Sequence, residues 1–131
     1  MSRSDSATPL GQVRGLGSAR HGGGHWLQER FSSVALLLLG LWLVFSLLLL
    51  PDFDRSTVVA WLRAPSGAVP MALLIIAAFR HGLDGMKVIV DDYVHEEGSR
   101  IGTHFLLTIA AVAGAAFSLF ALARIALGAG A

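Results

Sequence analysis

The sequence predicts an all-α integral membrane bundle of three transmembrane helices preceded by a polar N-terminal arm. Two observations carry that prediction. The chain of 131 residues is 54% hydrophobic and has a mean hydropathy of +0.65, above the level of soluble domains. Its apolar residues also fall into long runs bounded by charge, which is the pattern of membrane spans rather than of a soluble core. At this length a single membrane domain is the natural count, so the chain divides into an arm at 1–30 and a transmembrane domain at 31–131.

The arm carries Arg3, Arg14, Arg20 and Arg30 against Asp5 and Glu29, with glycines at 11, 15, 17 and 22–24. It holds no hydrophobic segment of signal-peptide type. An Arg- and Ser-rich, acid-poor opening fits either a disordered arm or a mitochondrial transit peptide, although transit peptides are usually amphipathic as well. The tetrad His21-Gly22-Gly23-Gly24 resembles an esterase oxyanion segment, but the Gly-x-Ser-x-Gly elbow that would accompany it is missing from the sequence.

The first span is expected at about 31–51, an uncharged run between Glu29-Arg30 and Pro51-Asp52 with Trp42 near its middle. Crossing a hydrocarbon core of about 30 Å takes about 20 helical residues. A polar loop follows with Asp52, Asp54, Arg55 and Arg63, closing with Pro65 and Pro70. The second span is expected at about 67–90. Its uncharged half ends at Phe79, and stopping at Arg80 would leave too few residues to cross. A charged loop, Asp91 to Arg100, leads to the third span at about 101–123, whose Ala and Gly content permits close helix approach. The arginine-rich arm and the Asp91–Arg100 loop fall on one face of the membrane. The positive-inside rule makes that face, and with it the N-terminus, cytoplasmic.

Composition excludes several functions. With no cysteine, disulfides, thiolate metal sites and cysteine nucleophiles are ruled out. A net charge of +1 argues against nucleic acid as a partner. What remains is concentrated at the end of the second span, where Arg80, His81 and Asp84 interrupt the apolar pattern. Ionisable groups at that depth are costly and face a cofactor, a cavity or a partner. On a helix of about 100° per residue, His81, Gly85, Val88 and Asp92 share one stripe. A ligand-type side chain then lies near the midplane, and the pair Asp92-Tyr93 marks the water boundary. His81 reads either as a ligand or as a histidine hydrogen-bonded within the bundle, and Tyr93 either as a functional phenol or as an interfacial anchor. Arg80 reads as a counter-charge for Asp84 or a contact for another subunit, and Trp42 as lipid-facing or packed. His95, Glu96 and Glu97 read as a solvated or subunit-facing loop, and His104 as interfacial.

The pattern His-x3-Gly-x6-Asp-Tyr, here His81, Gly85, Asp92 and Tyr93, closing the second of three spans, resembles the small membrane-anchor (D) subunits of succinate:quinone oxidoreductases, or complex II. The arm Val13-Arg14-Gly15-Leu16-Gly17-Ser18-Ala19, continuing to His25-Trp26 and Arg30, is similar to alphaproteobacterial members. Asp84 departs from the family pattern, which has an apolar residue there.

The resemblance implies that His81 is an axial ligand of haem b, shared with a cytochrome b subunit that supplies the second histidine. Tyr93 would donate to ubiquinone, with Asp92 orienting that network or delivering protons. Arg30 and His25 would approach the haem propionates or the quinone site. The partners implied are the cytochrome b, iron–sulfur and flavoprotein subunits in a bacterial inner membrane, rather than a mitochondrial one. On this reading succinate chemistry lies on other chains. A fumarate-reducing complex of the same architecture, or a small proton- or ion-transport or scaffold subunit, are the alternatives.

Overall fold

The computed structural model describes residues 22–128, with side chains at Leu27 and from Arg30 onward. The expected polar arm, including Val13–Ala19 and His21, lies outside the described residues up to Gly22. Four helices follow in order: α1 Gly22–Leu48, α2 Arg55–Arg63, α3 Pro65–Tyr93 and α4 Glu97–Ala126. Every regular element among the described residues is a helix, and the architecture is a helical membrane bundle.

Helix α1 begins nine residues before the expected start of the first span, because Gly22–Arg30 continues the helix without a break. The segment expected as a polar loop contains α2. Its N-cap position is Asp54, although the carboxylate makes no capping hydrogen bond; the Asp54 amide donates to Asp52 Oδ1 at 3.1 Å. Ala64 is extended, with φ −69° and ψ 137°, and serves as both C-cap of α2 and N-cap of α3. That one residue turns the chain, and the two helices meet at 85°. Pro65 opens α3 where its missing N–H is not needed. Pro70, expected in the loop, lies inside α3 instead.

The bend is tight. A Cβ on Gly67 would stand 2.1 Å from the Trp61 carbonyl oxygen, so only a residue without a side chain fits there. The Trp61 ring stacks on Trp42 of α1, with centroids 5.8 Å apart and planes at 22°. Arg63 Nε donates to the Ile125 carbonyl at 3.3 Å, which also accepts the Gly128 amide at 3.1 Å, placing a cation at the C-terminal end of α4.

The charged loop expected at Asp91–Arg100 is only Val94–Glu96. Helix α3 runs on to Tyr93, closed by the Val94 amide on the Val90 carbonyl at 2.8 Å. Helix α4 starts at Glu97, because the Glu96 carboxylate accepts from the amides of Gly98 and Ser99. These hydrogen bonds, from the Ser99 side chain first and then from the Ser99 and Gly98 amides, hold the Glu96 carboxyl below its ordinary value of 4.5.

Such a short turn makes α3 and α4 antiparallel neighbours. Their approach relies on small residues: a Cβ on Gly114 would come within 2.6 Å of the Phe79 ring. Hydroxyls inside α4 bond back to the preceding turn, Thr108 to the His104 carbonyl at 2.7 Å and Ser118 to the Gly114 carbonyl at 2.8 Å, so these two hydroxyls are satisfied within the helix. Large apolar side chains point outward along α1 and α4, with Phe31 70% and Phe117 75% exposed. A soluble domain would bury these groups. In a bilayer they meet acyl chains or another subunit, and helices associate by packing instead.

By length and composition, Arg30–Leu48 and α4 can each cross a membrane alone, while α3 passes only together with α2 as a bent pair. The pair is bent by 85° at its break, and α3 gathers its charged residues in its second half, from Arg80 to Asp92.

Candidate functional site

His81 sits in the charged half of α3, half-buried, with Nδ1 3.0 Å from the Ser32 hydroxyl oxygen of α1. This contact joins two helices across 49 positions of sequence. Together with the Trp42–Trp61 stack it fixes α1 antiparallel to α3, since moving forward along α1 moves backward along the α2–α3 segment. On the other side, Phe79 faces Gly114, and Met86 and Leu107 line a common groove. His81 is therefore level with the middle of the apolar run of α4, while on α1 its partner lies two residues after Arg30.

The Nε2 of His81 has no hydrogen-bond partner among the described residues. One helical turn on, Gly85 has no atom within 4 Å of where its Cβ would stand, and Gly82 is equally open. The surface beside the imidazole is thus bare backbone, which a flat macrocycle can approach closely. Among the described residues no group of three or more His, Asp or Glu side chains could hold a metal ion. The donor set offered here is one imidazole, which suits one axial position of a haem rather than a complete metal site. The residues fit such a group.

Asp84, the departure from the expected apolar residue, accepts from Arg80 Nε at 2.8 Å. Asp84 is 12% exposed and Arg80 51%, so the half-buried acid is neutralised from within its own helix and Arg80 fills the first of its two anticipated roles. An (i, i+4) pair of this kind keeps a carboxylate tolerable at membrane depth.

At the end of α3, Asp92 and Tyr93 are exposed, Tyr93 at 78%. Neither makes a hydrogen bond or ion pair among the described residues. Tyr93 lies 12 residues past His81, about 18 Å along the helix, so the two sites are separate. Asp91, on the neighbouring face, approaches His104 Nε2 at 3.2 Å and Arg100 Nε at 4.0 Å. The His104 contact has the distance of an ion pair but not the angles of a hydrogen bond, since Nε2 is buried without a properly aligned partner. We regard it as electrostatic. Arg30 is exposed on α1. His25 belongs to the same helix, but its side chain lies outside the described residues.

Between α3 and α4 runs an apolar groove of about 410 Å³, lined among others by Phe79, Gly82, Met86, Leu107 and Ala111. It does not include His81. Ser32 is the site residue that sequence reasoning missed. Its only signal was a serine pair, Ser32-Ser33, at the head of an apolar run.

Residues 4–122 match the family described as the succinate dehydrogenase/fumarate reductase transmembrane subunit. The chain belongs to this family. Among the relatives of this transmembrane subunit, the succinate dehydrogenase hydrophobic membrane anchor subunit of Paracoccus denitrificans is 30% identical over 122 residues, covering 93% of this chain and 94% of the relative. The subunit of the same description from Rickettsia bellii is 29% identical over 90 residues, or 69% of this chain and 72% of its own. The succinate dehydrogenase membrane anchor subunit of Reclinomonas americana is 28% identical over 96 residues, covering 71% and 80%. The expected family, small membrane-anchor subunits with an alphaproteobacterial likeness, agrees with the family match and with the Paracoccus and Rickettsia relatives, and the apolar helices agree with a membrane anchor.

Proposed function

We propose that this chain anchors a succinate dehydrogenase complex in the membrane, ligates haem b through His81 Nε2, and lines the ubiquinone site with Tyr93 and Asp92. The observation that supports the ligand role is the hydrogen bond at His81 Nδ1. It occupies one ring nitrogen and leaves the other to coordinate, over a backbone kept open by Gly85. A histidine of the cytochrome b subunit would complete the coordination of the haem iron. The iron–sulfur and flavoprotein subunits dock on the cytoplasmic face of a bacterial inner membrane, where the N-terminus also lies. Succinate is oxidised on those subunits, since this chain has no cysteine for iron–sulfur ligation.

Bound haem supplies a one-electron redox centre. The chain's own residues orient its ligand, exclude water around it and bind the quinone. The Tyr93 phenol donates a hydrogen bond to a quinone carbonyl oxygen as charge builds on it, and Asp92, one residue earlier, accepts and passes protons at the water boundary. Arg30 and His25 are assigned to the haem propionates or the quinone site on the family resemblance alone.

The test is His81→Leu in the assembled complex. Losing one axial ligand should convert a low-spin b-type spectrum to high spin or empty the site, read in the reduced-minus-oxidised difference spectrum. An unchanged low-spin spectrum in an assembled variant defeats the assignment.

A further inference from the structure

We propose that Ser32 is the positioning residue for His81: its hydroxyl oxygen accepts the Nδ1 proton, which sets the tautomer, the ring plane and the donor strength of the coordinating nitrogen. The proposal rests on the ligand reading of His81 given above. A serine hydroxyl can donate or accept, and the 3.0 Å contact alone allows either direction. Coordination removes the ambiguity. A neutral imidazole that binds iron through Nε2 carries its one proton on Nδ1, so Nδ1 donates and Ser32 accepts.

The consequence follows from general ligand chemistry. An acceptor on the far nitrogen makes the near nitrogen a stronger donor and fixes the ring orientation. A stronger donor favours the ferric form. Ser32 is well placed for this, because it sits on α1 whereas the ligand sits on α3, and both are half-buried. The ring is thus referenced to a second helix and cannot swing freely about its own.

The experiment compares Ser32→Thr with Ser32→Val in the intact complex. Thr and Val are β-branched and nearly the same shape, with a hydroxyl in one where the other has a methyl group. The readouts are the haem midpoint potential and the largest g-value of the ferric low-spin signal, which reports axial ring orientation. The Thr variant should match the unsubstituted protein. The Val variant should favour the ferrous form several-fold to about tenfold, an upward shift of at most about 59 mV for one electron, with a displaced g-value or with loss of haem.

Thr and Val behaving alike, or Thr alone being disturbed, overturns the proposal, because shape and not the hydroxyl then matters. His81→Leu is measured beside them. If it keeps the low-spin spectrum, the ligand reading itself fails and this proposal with it. If it loses that spectrum while Val matches Thr, only the role of Ser32 fails.

Discussion

At Tyr93 one oxygen atom separates two roles. Tyr93→Phe keeps the ring and its interfacial packing and removes the donor. A neutral hydrogen bond is worth roughly 0.5–1.5 kcal/mol, so succinate–quinone turnover should fall about twofold to tenfold. Succinate oxidation with an artificial acceptor at the soluble subunits should stay at its original rate. Equal loss of both activities would indicate misassembly, and loss of neither would leave Tyr93 an anchor. The separation of His81 and Tyr93 by about three turns was legible in the sequence, because both lie on one uninterrupted helix whose rise per residue is fixed. The Arg80–Asp84 pair was legible for the same reason, as an (i, i+4) relation. Ser32 was not, because the contact that gives it meaning joins α1 to α3, and no local periodicity reports which face of one span meets another.

Helix ends and bends carry the element-scale detail that hydropathy passes over. The α3–α4 turn read as a ten-residue charged loop because hydropathy registers charge and not capping, and Glu is not among the preferred N-cap residues. Glu96 nonetheless caps α4 through two amides. Its folded carboxyl is held below the ordinary 4.5, so the unfolded turn takes up the proton first as pH falls. The cap's contribution is therefore complete above that ordinary value and disappears as pH drops through the lowered one. Exchange of the Gly98 and Ser99 amides, corrected for intrinsic rates, should speed up over that acid window, and Glu96→Gln should remove the pH dependence. Exchange that is flat with pH in the unsubstituted protein would contradict it. The α2–α3 bend was hidden for a related reason: Pro65 and Pro70 signalled a loop, whereas Pro65 opens a helix and Pro70 lies within it. Gly67→Ala tests how tight the bend is. Its methyl would meet backbone, not a movable side chain, and overpacking of this kind costs about 1–3 kcal/mol. The purified complex should show a lower thermal midpoint and a weaker near-ultraviolet signal from the Trp42–Trp61 pair, whereas Gly102→Ala, at a site with open space, should change neither.

For the whole molecule, the sequence made the helical membrane class and the outer two apolar runs plain, because lipid imposes long uncharged segments on any chain that crosses it. The middle crossing is harder to see. Helix α3 carries charged residues in its second half, and it is counted as a span only together with α2. Whether it crosses has a direct consequence, since Ser56 in α2 and Ser99 in α4 flank it and are both exposed. The natural chain has no cysteine, so a single cysteine at either position reports alone. If α3 crosses and the arginine-rich arm is cytoplasmic, an impermeant thiol reagent added to intact cells should label Ser56→Cys and spare Ser99→Cys until the membrane is permeabilised. Labelling of both from outside, or of neither, would place both ends of α3 on one side, reduce the crossings to two and leave His81 in a re-entrant segment. Labelling of Ser99→Cys alone would keep three crossings but invert them. Tyr93 would then face away from the compartment in which succinate is oxidised, and the quinone role proposed for it would fail on geometry.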